Sequence, residues 1–136
     1  MLDFSRDDQF VYITYPEGTL WRSRVDGSDR RQLTYPPMYT NSASWSTDGK
    51  QIVFAAVMPD KSLMKVFVMS ADGGTPQELL PDDQISEDDP NWSPDGNALV
   101  FAHNPTLGST NPNDFVLVRY DFKTKQLSNL PGSSGL

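Results

Sequence analysis

The sequence predicts an all-β fold, a β-propeller with three four-stranded antiparallel blades per chain. Three observations carry that expectation. The stretch Asp89-Pro90-Asn91-Trp92-Ser93-Pro94-Asp95-Gly96 runs into the apolar segment Ala98-Leu99-Val100-Phe101. It has a near copy in Ala43-Ser44-Trp45-Ser46-Thr47-Asp48-Gly49, which runs into Ile52-Val53-Phe54-Ala55, and a weaker copy in Phe4-Ser5-Arg6-Asp7-Asp8 before Phe10-Val11-Tyr12-Ile13. The spacing is regular: the aromatic anchors Phe4, Trp45 and Trp92 lie 41 and 47 residues apart, and the late leucines Leu33, Leu79 and Leu127 lie 46 and 48 apart. Four strands in each unit of about 40–50 residues is the pattern of a propeller blade.

Each copy opens with a strand, a tight turn and a second strand. Ser-Pro-Asp-Gly suits a type I turn, with φ preset by Pro and a positive φ tolerated at the closing Gly. Asp48-Gly49 and Asp95-Gly96 are therefore structural repeat positions, and Asp8, replacing Gly, makes the first turn the least comfortable. The β-branched and aromatic residues that follow suit half-buried strands. Third strands are expected at 19–25, 65–70 and 115–120, each running into an aspartate turn at Asp26, Asp72 and Asp121. The polar-then-Leu segments at 31–34, 77–80 and 125–128 complete the blades. The blades divide the chain at about 1–40, 41–87 and 88–136, with no separate second domain. Phe4, Trp45 and Trp92 recur in phase and are expected where each blade meets its neighbour. Burying such a side chain removes ~150–250 Å² from water, on the order of 4–6 kcal/mol as an upper estimate.

Trp-Ser-Pro-Asp-Gly, an apolar strand, a strand ending in Ala-Asp-Gly-Gly, then Gln-x-Leu resembles the WD-like repeat of TolB-type propellers and their bacterial relatives. The resemblance covers nearly the whole chain. It implies a three-blade piece of a larger propeller, and it says little of function. The repeat occurs in colicin-import proteins, in peptidase accessory domains and in sensor parts of regulators.

Composition narrows the classes. There are no cysteines, so disulfide and thiolate chemistry is excluded and redox gives no compartment. No apolar run approaches the ~20 residues of a membrane helix, and no membrane partner is expected. The first residues lack a basic region before an apolar core, so no signal peptide is expected. TolB-like relatives are often periplasmic, and the compartment stays open. A net charge of −7 argues against nucleic acid, whose phosphates want a basic face. The only basic cluster, Arg22, Arg24, Arg30 and Arg31, reads as a solvated outer strand or as a contact for an acidic partner.

Alternation of strand direction puts the linkers between blades and the loops between second and third strands on one variable face, opposite the uniform Asp-Gly turns. Partner-binding loops are expected there. Tyr35, Met38 and Tyr39 lie in the first linker, which packs over a blade junction or contacts a partner. Met58 joins two strands. Asp83, Glu87 and Asp88 belong to the acidic segment 81–90, which holds five acids and no base. Oxygen-rich segments can hold Ca²⁺, but the spacing does not match a calcium loop, so a solvated run without metal or cofactor is expected. The lone His103 ends a second strand beside the long polar loop 104–113 and reads as a surface or half-buried residue.

The expected function is a non-catalytic scaffold binding protein or peptide, either natural or an excised or engineered half-propeller that self-assembles. The alternative is a glycosidase-like or peptidase-accessory propeller using acidic loop residues. No G-x-S-x-G nucleophile motif is present, and no catalytic residue is assigned. Three blades are too few to surround an axis, since propellers typically close with four to eight. Late Leu to next anchor spans 12 and 13 residues inside the chain, and 13 again when the C-terminus is followed by Met1 of a second copy. A head-to-tail homodimer closing a six-bladed ring, with Leu136 near Met1 of the other copy, is the expected assembly.

Overall fold

The computed structural model describes residues 2–5, 7–60, 62–106 and 111–132. The expected meeting of Leu136 with Met1, and the middle of the 104–113 loop, lie outside them. Three separate four-stranded antiparallel sheets follow one another along the chain. The first holds β1 (Leu2–Phe4), β2 (Phe10–Thr14), β3 (Leu20–Arg24) and β4 (Arg31–Gln32). The second holds β5 (Tyr39–Trp45), β6 (Gln51–Val57), β7 (Met64–Ser70) and β8 (Gln77–Glu78). The third holds β9 (Ser86–Trp92), β10 (Ala98–Asn104), β11 (Val116–Asp121) and β12 (Gln126–Asn129). Each sheet is a meander in sequence order, as expected for propeller blades. Among the described residues no helix is long and apolar enough to cross a membrane.

The first turn of every blade is built alike. Ser5, Ser46 and Ser93 each donate through Oγ to Oδ1 of Asp7, Asp48 and Asp95, all at 2.6 Å. The same carboxylates accept the N–H of Gln9, Lys50 and Asn97, and each Ser Oγ accepts the N–H that starts the next strand. Those hydrogen bonds hold the three carboxyls below the usual aspartate range. The closing residue has φ of 72° at Gly49 and 76° at Gly96, and Asp8 takes the same left-handed geometry at 56°. A Cβ on Gly96 would also meet Thr47 Oγ1 at 2.4 Å, so that glycine serves both turn and packing. One expected equivalence shifts. Asp121 pairs with Ala98 as Ser70 pairs with Gln51, so it matches Ser70 in the blade rather than Asp72.

Because side chains alternate along strands, the middle blade buries both faces. Ile52, Phe54, Ala56, Phe67 and Met69 join Tyr12, Leu20 and Leu33 of the first blade in one core, which also takes in Trp45. Val53 and Val66 face Leu99, Phe101, Val118 and Tyr120 of the third blade in a second core. Phe54 stacks on Phe67 with ring centroids 5.6 Å apart, and Tyr12 lies 5.6 Å from Trp45. The Tyr12 hydroxyl reaches the Ala43 carbonyl at 2.7 Å across the junction.

The anchors differ in burial. Trp45 is buried, Trp92 is half-buried and stacked on Phe122 at 5.2 Å, and Phe4 is 54% exposed. Phe4 pairs with Val11, as Trp45 pairs with Ile52. It occupies the anchor position, but no described residue of a preceding blade covers it. The solvated-strand reading also fails for Arg22, which is 5% exposed. Its Nη1 donates to the Ala71 carbonyl at 2.7 Å and to Asp72 at 2.9 Å, and its guanidinium lies 4.6 Å from the Phe10 ring centroid.

Candidate functional site

The variable face is assembled from the segments that join blades. Pro36 and Pro37 keep the first linker out of a sheet only briefly, since β5 begins at Tyr39. Tyr35 and Tyr39 are exposed, at 62% and 51%. Tyr39 nevertheless lies on the first blade: its hydroxyl donates to the Pro16 carbonyl at 3.1 Å, and its ring sits where a Cβ on Gly18 would come within 2.5 Å. Gly18, with φ of 84°, thus serves both its turn and this contact. Met38 and Met58 pack on the first core and, with Leu33, Thr34 and Pro37, line a cavity of about 200 Å³. Of the first-linker residues, the tyrosines are accessible and Met38 covers the blade junction.

The acidic segment departs most from expectation. Its second half is not a solvated loop but strand β9, with Pro90 buried inside it and a register shift against β10 between Val100 and Ala102. Glu87 is fully buried, Asp83 and Asp88 are half-buried, and Asp89 stays exposed. Asp88 Oδ1 accepts the Asp89 N–H at 2.7 Å. The burial of Glu87 is explained by Lys65 of the middle blade, itself only 1% exposed. Lys65 Nζ donates to Glu87 Oε1 at 2.7 Å, to the Ile85 carbonyl at 3.1 Å and to Asp83 Oδ1. Glu87 Oε2 accepts the Val66 N–H at 2.9 Å. A buried charge is tolerable when paired and hydrogen-bonded in this way.

His103 pairs with Glu87 across the strands and is buried, not a surface residue. Its Nε2 lies 3.8 Å from Asp83 Oδ2 and makes no hydrogen bond among the described residues. Burial lowers its pKa against the pull of Asp83. Burial pushes the Glu87 carboxyl up to about 7, ahead of the opposing effects of Lys65 and the Val66 N–H. Burial also works against the Lys65 ammonium, but its bonds to Asp83 and Glu87 prevail and raise its pKa.

The ligand atoms of Asp83, Glu87 and His103 lie within 4.8 Å of one another, the spacing of a metal-binding group. A cation already stands among them, because all three donors of the ammonium are spent on this cluster. Both Glu87 carboxylate oxygens are engaged, and Asp83 is engaged through Oδ1. The arrangement ties blade two to blade three. Lys65 is the member that sequence reasoning missed, and its one signal is a lone charge opening the apolar run Val66-Phe67-Val68-Met69.

The opposite face carries a cavity of about 310 Å³ between the first two blades, lined by Asp7, Phe10, Arg22, Trp45, Asp48 and Asp72 among others. It gathers the uniform turns. None of the residues expected in partner-binding loops lies here, and Arg22 of the basic cluster does.

No protein-family model matches the chain. It is 30% identical over 111 residues to an uncharacterized protein of Agrobacterium fabrum, covering 74% of this chain and 38% of that protein. Among solved structures it resembles a protein assigned as TolB from Agrobacterium tumefaciens, with a TM-score of 0.73 and 16% identity over 97% of this chain and 45% of that one. TolB from Acinetobacter baumannii matches at 0.75 with 20% identity, over 98% of this chain and 32% of that one. A chain of a nidogen/laminin complex matches at 0.70 with 15% identity, over 94% and 46%. The chain therefore spans about a third to a half of the proteins it matches. These likenesses show TolB-like β-propeller blades.

Proposed function

We propose that this chain, built from TolB-like β-propeller blades, is completed by a second copy into a six-bladed ring that serves as a non-catalytic scaffold for protein or peptide. One observation carries the reading: the two outer sheet faces, on which no other blade packs among the described residues, are the register counterparts of the two kinds of face that meet inside the chain. On the first blade, Phe4, Val11, Ile13 and Trp21 occupy the positions of Trp45, Ile52, Phe54 and Phe67. On the third, Val100, Ala102 and Leu117 occupy the positions of Val53, Ala55 and Val66. The second internal junction sets Leu99, Phe101, Val118 and Tyr120 on Val53 and Val66, and the outer pair offers Phe4, Val11, Ile13 and Trp21 against the smaller aliphatic side chains Val100, Ala102 and Leu117. Covering both faces in one symmetric step closes the assembly, whereas a contact that failed to close would polymerise.

The scaffold reading is supported by the tie at the second junction, where the buried acids are engaged with Lys65, and by the exposure of Tyr35 and Tyr39 on the variable face. Tyrosines there supply large contact area at low entropic cost. The enzyme alternative predicts turnover of glycosidase or peptidase substrates that depends on the acidic loop residues; we expect no turnover of glycosidase, peptidase or esterase substrates, and none that His103→Ala abolishes. The assembly reading is tested with Ala102→Lys, which puts a charge at the centre of the third blade's uncovered face. Sedimentation should give one chain per particle with the circular dichroism unchanged. A variant that sediments like the wild type would overturn the proposed junction.

A further inference from the structure

We infer that Arg119 fastens the ring by donating to the Val25 carbonyl and the Asp26 carboxylate of the second copy, an inference that rests on the ring reading above. The internal precedent is Arg22, which faces the next blade and reaches its third-strand turn at the Ala71 carbonyl and Asp72. Register transfers each participant. Tyr12 pairs with Arg22, Val53 with Val68, and Val100 with Arg119, so Arg119 holds the Arg22 position of the third blade. Likewise Arg24 pairs with Phe10 as Ser70 pairs with Gln51, so Val25 and Asp26 hold the positions of Ala71 and Asp72.

The two ends are in the state such a junction requires. Arg119 projects from the uncovered face and meets Asp121 of its own strand at 3.2 Å, with about a third of its side chain exposed. Ala71, covered by the first blade, is 4% exposed, whereas its counterpart Val25 is 54% exposed. Asp26 stands beside it, its carboxylate held in the turn by Ser28 N–H and Oγ with a lone-pair side left for a cation. Charge is complementary too, a guanidinium on one face against a carboxylate on the other. Arg is suited to this double contact because its planar fork serves two acceptors at once.

The test is a double-mutant cycle on the self-association of the whole chain, read by sedimentation equilibrium. Each substitution strikes both junctions of a symmetric dimer. Arg119→Ala should raise the dimer Kd roughly 100-fold, about tenfold per junction, as expected for loss of a charged hydrogen-bond donor. Asp26→Ala should weaken it less, since the Val25 carbonyl remains. The double variant should be no weaker than Arg119→Ala, because the second partner is then already lost. Additive losses, or dimers as tight as the wild type, would overturn the contact while leaving the ring reading standing. A wild type that stays monomeric overturns the ring reading, and this contact with it.

Discussion

Lys65 shows how one side chain can decide the state of several others. Its ammonium lets Glu87 be fully buried, and removing it would strand a carboxylate in the junction. Breaking a buried pair from one side costs about 3–5 kcal/mol. Lys65→Met should therefore lower stability by about that amount in urea denaturation at neutral pH. Adding Glu87→Gln should recover most of it, because a neutral amide can still accept the Val66 N–H. No recovery would mean that the loss lies in packing and not in the stranded charge. The same group sets a pH dependence. The folded-state pKa of Glu87 is raised from 4.5 to about 7, so the folded chain holds this proton more tightly than the unfolded chain. Its contribution is full below 4.5 and is lost as pH rises towards 7. His103 opposes it, since its pKa is lowered from 6.5 and its contribution fades as pH falls below that value. The difference in stability between wild type and Glu87→Gln isolates the first effect. It should shrink as pH rises through the 4.5-to-7 window, and a difference that stays flat would contradict the assignment.

At the scale of the element, the turn motif was readable because its chemistry is local. Ser-x-Asp and a left-handed fourth residue form the same hydrogen bonds in every blade, whatever surrounds them. The anchors were readable as positions but not as degrees of burial, which depend on the neighbouring blade. Trp45 is buried in the core shared with the first blade, whereas Trp92 is half-buried, packed on the second core and stacked on Phe122. Trp45→Ala should then cost ~3–5 kcal/mol and Trp92→Ala clearly less, roughly 1–3 kcal/mol. Equal losses in thermal or urea unfolding would contradict the difference in burial. The end of strand β9 at Asn91-Trp92 was legible as the opening strand of the third repeat, but its start at 86–88 was not. The acids there read as a solvated run, and what lets Glu87 be buried in a strand is Lys65, 22 residues upstream in another blade. Arg22 was misread for the same reason, its acceptors lying 49 and 50 residues away.

For the whole molecule, the number of blades and their four-strand composition follow from sequence spacing, and the sheets bear this out. Which surface each blade leaves uncovered follows only from register. The pairings place Phe4, Val11, Ile13 and Trp21 on one outer face, and Val100, Ala102 and Leu117 on the other. Together they repeat the two sides of an internal junction, which is why a second copy is the proposed occupant and why a closed pair is preferred to a chain of copies. The measurement that tests this most directly is the solution mass of the wild-type chain by light scattering at micromolar concentration. One chain has a mass of 15.2 kDa, and the ring predicts a particle of twice that mass, unchanged on further concentration. A folded species that holds the single-chain mass across that range would contradict it.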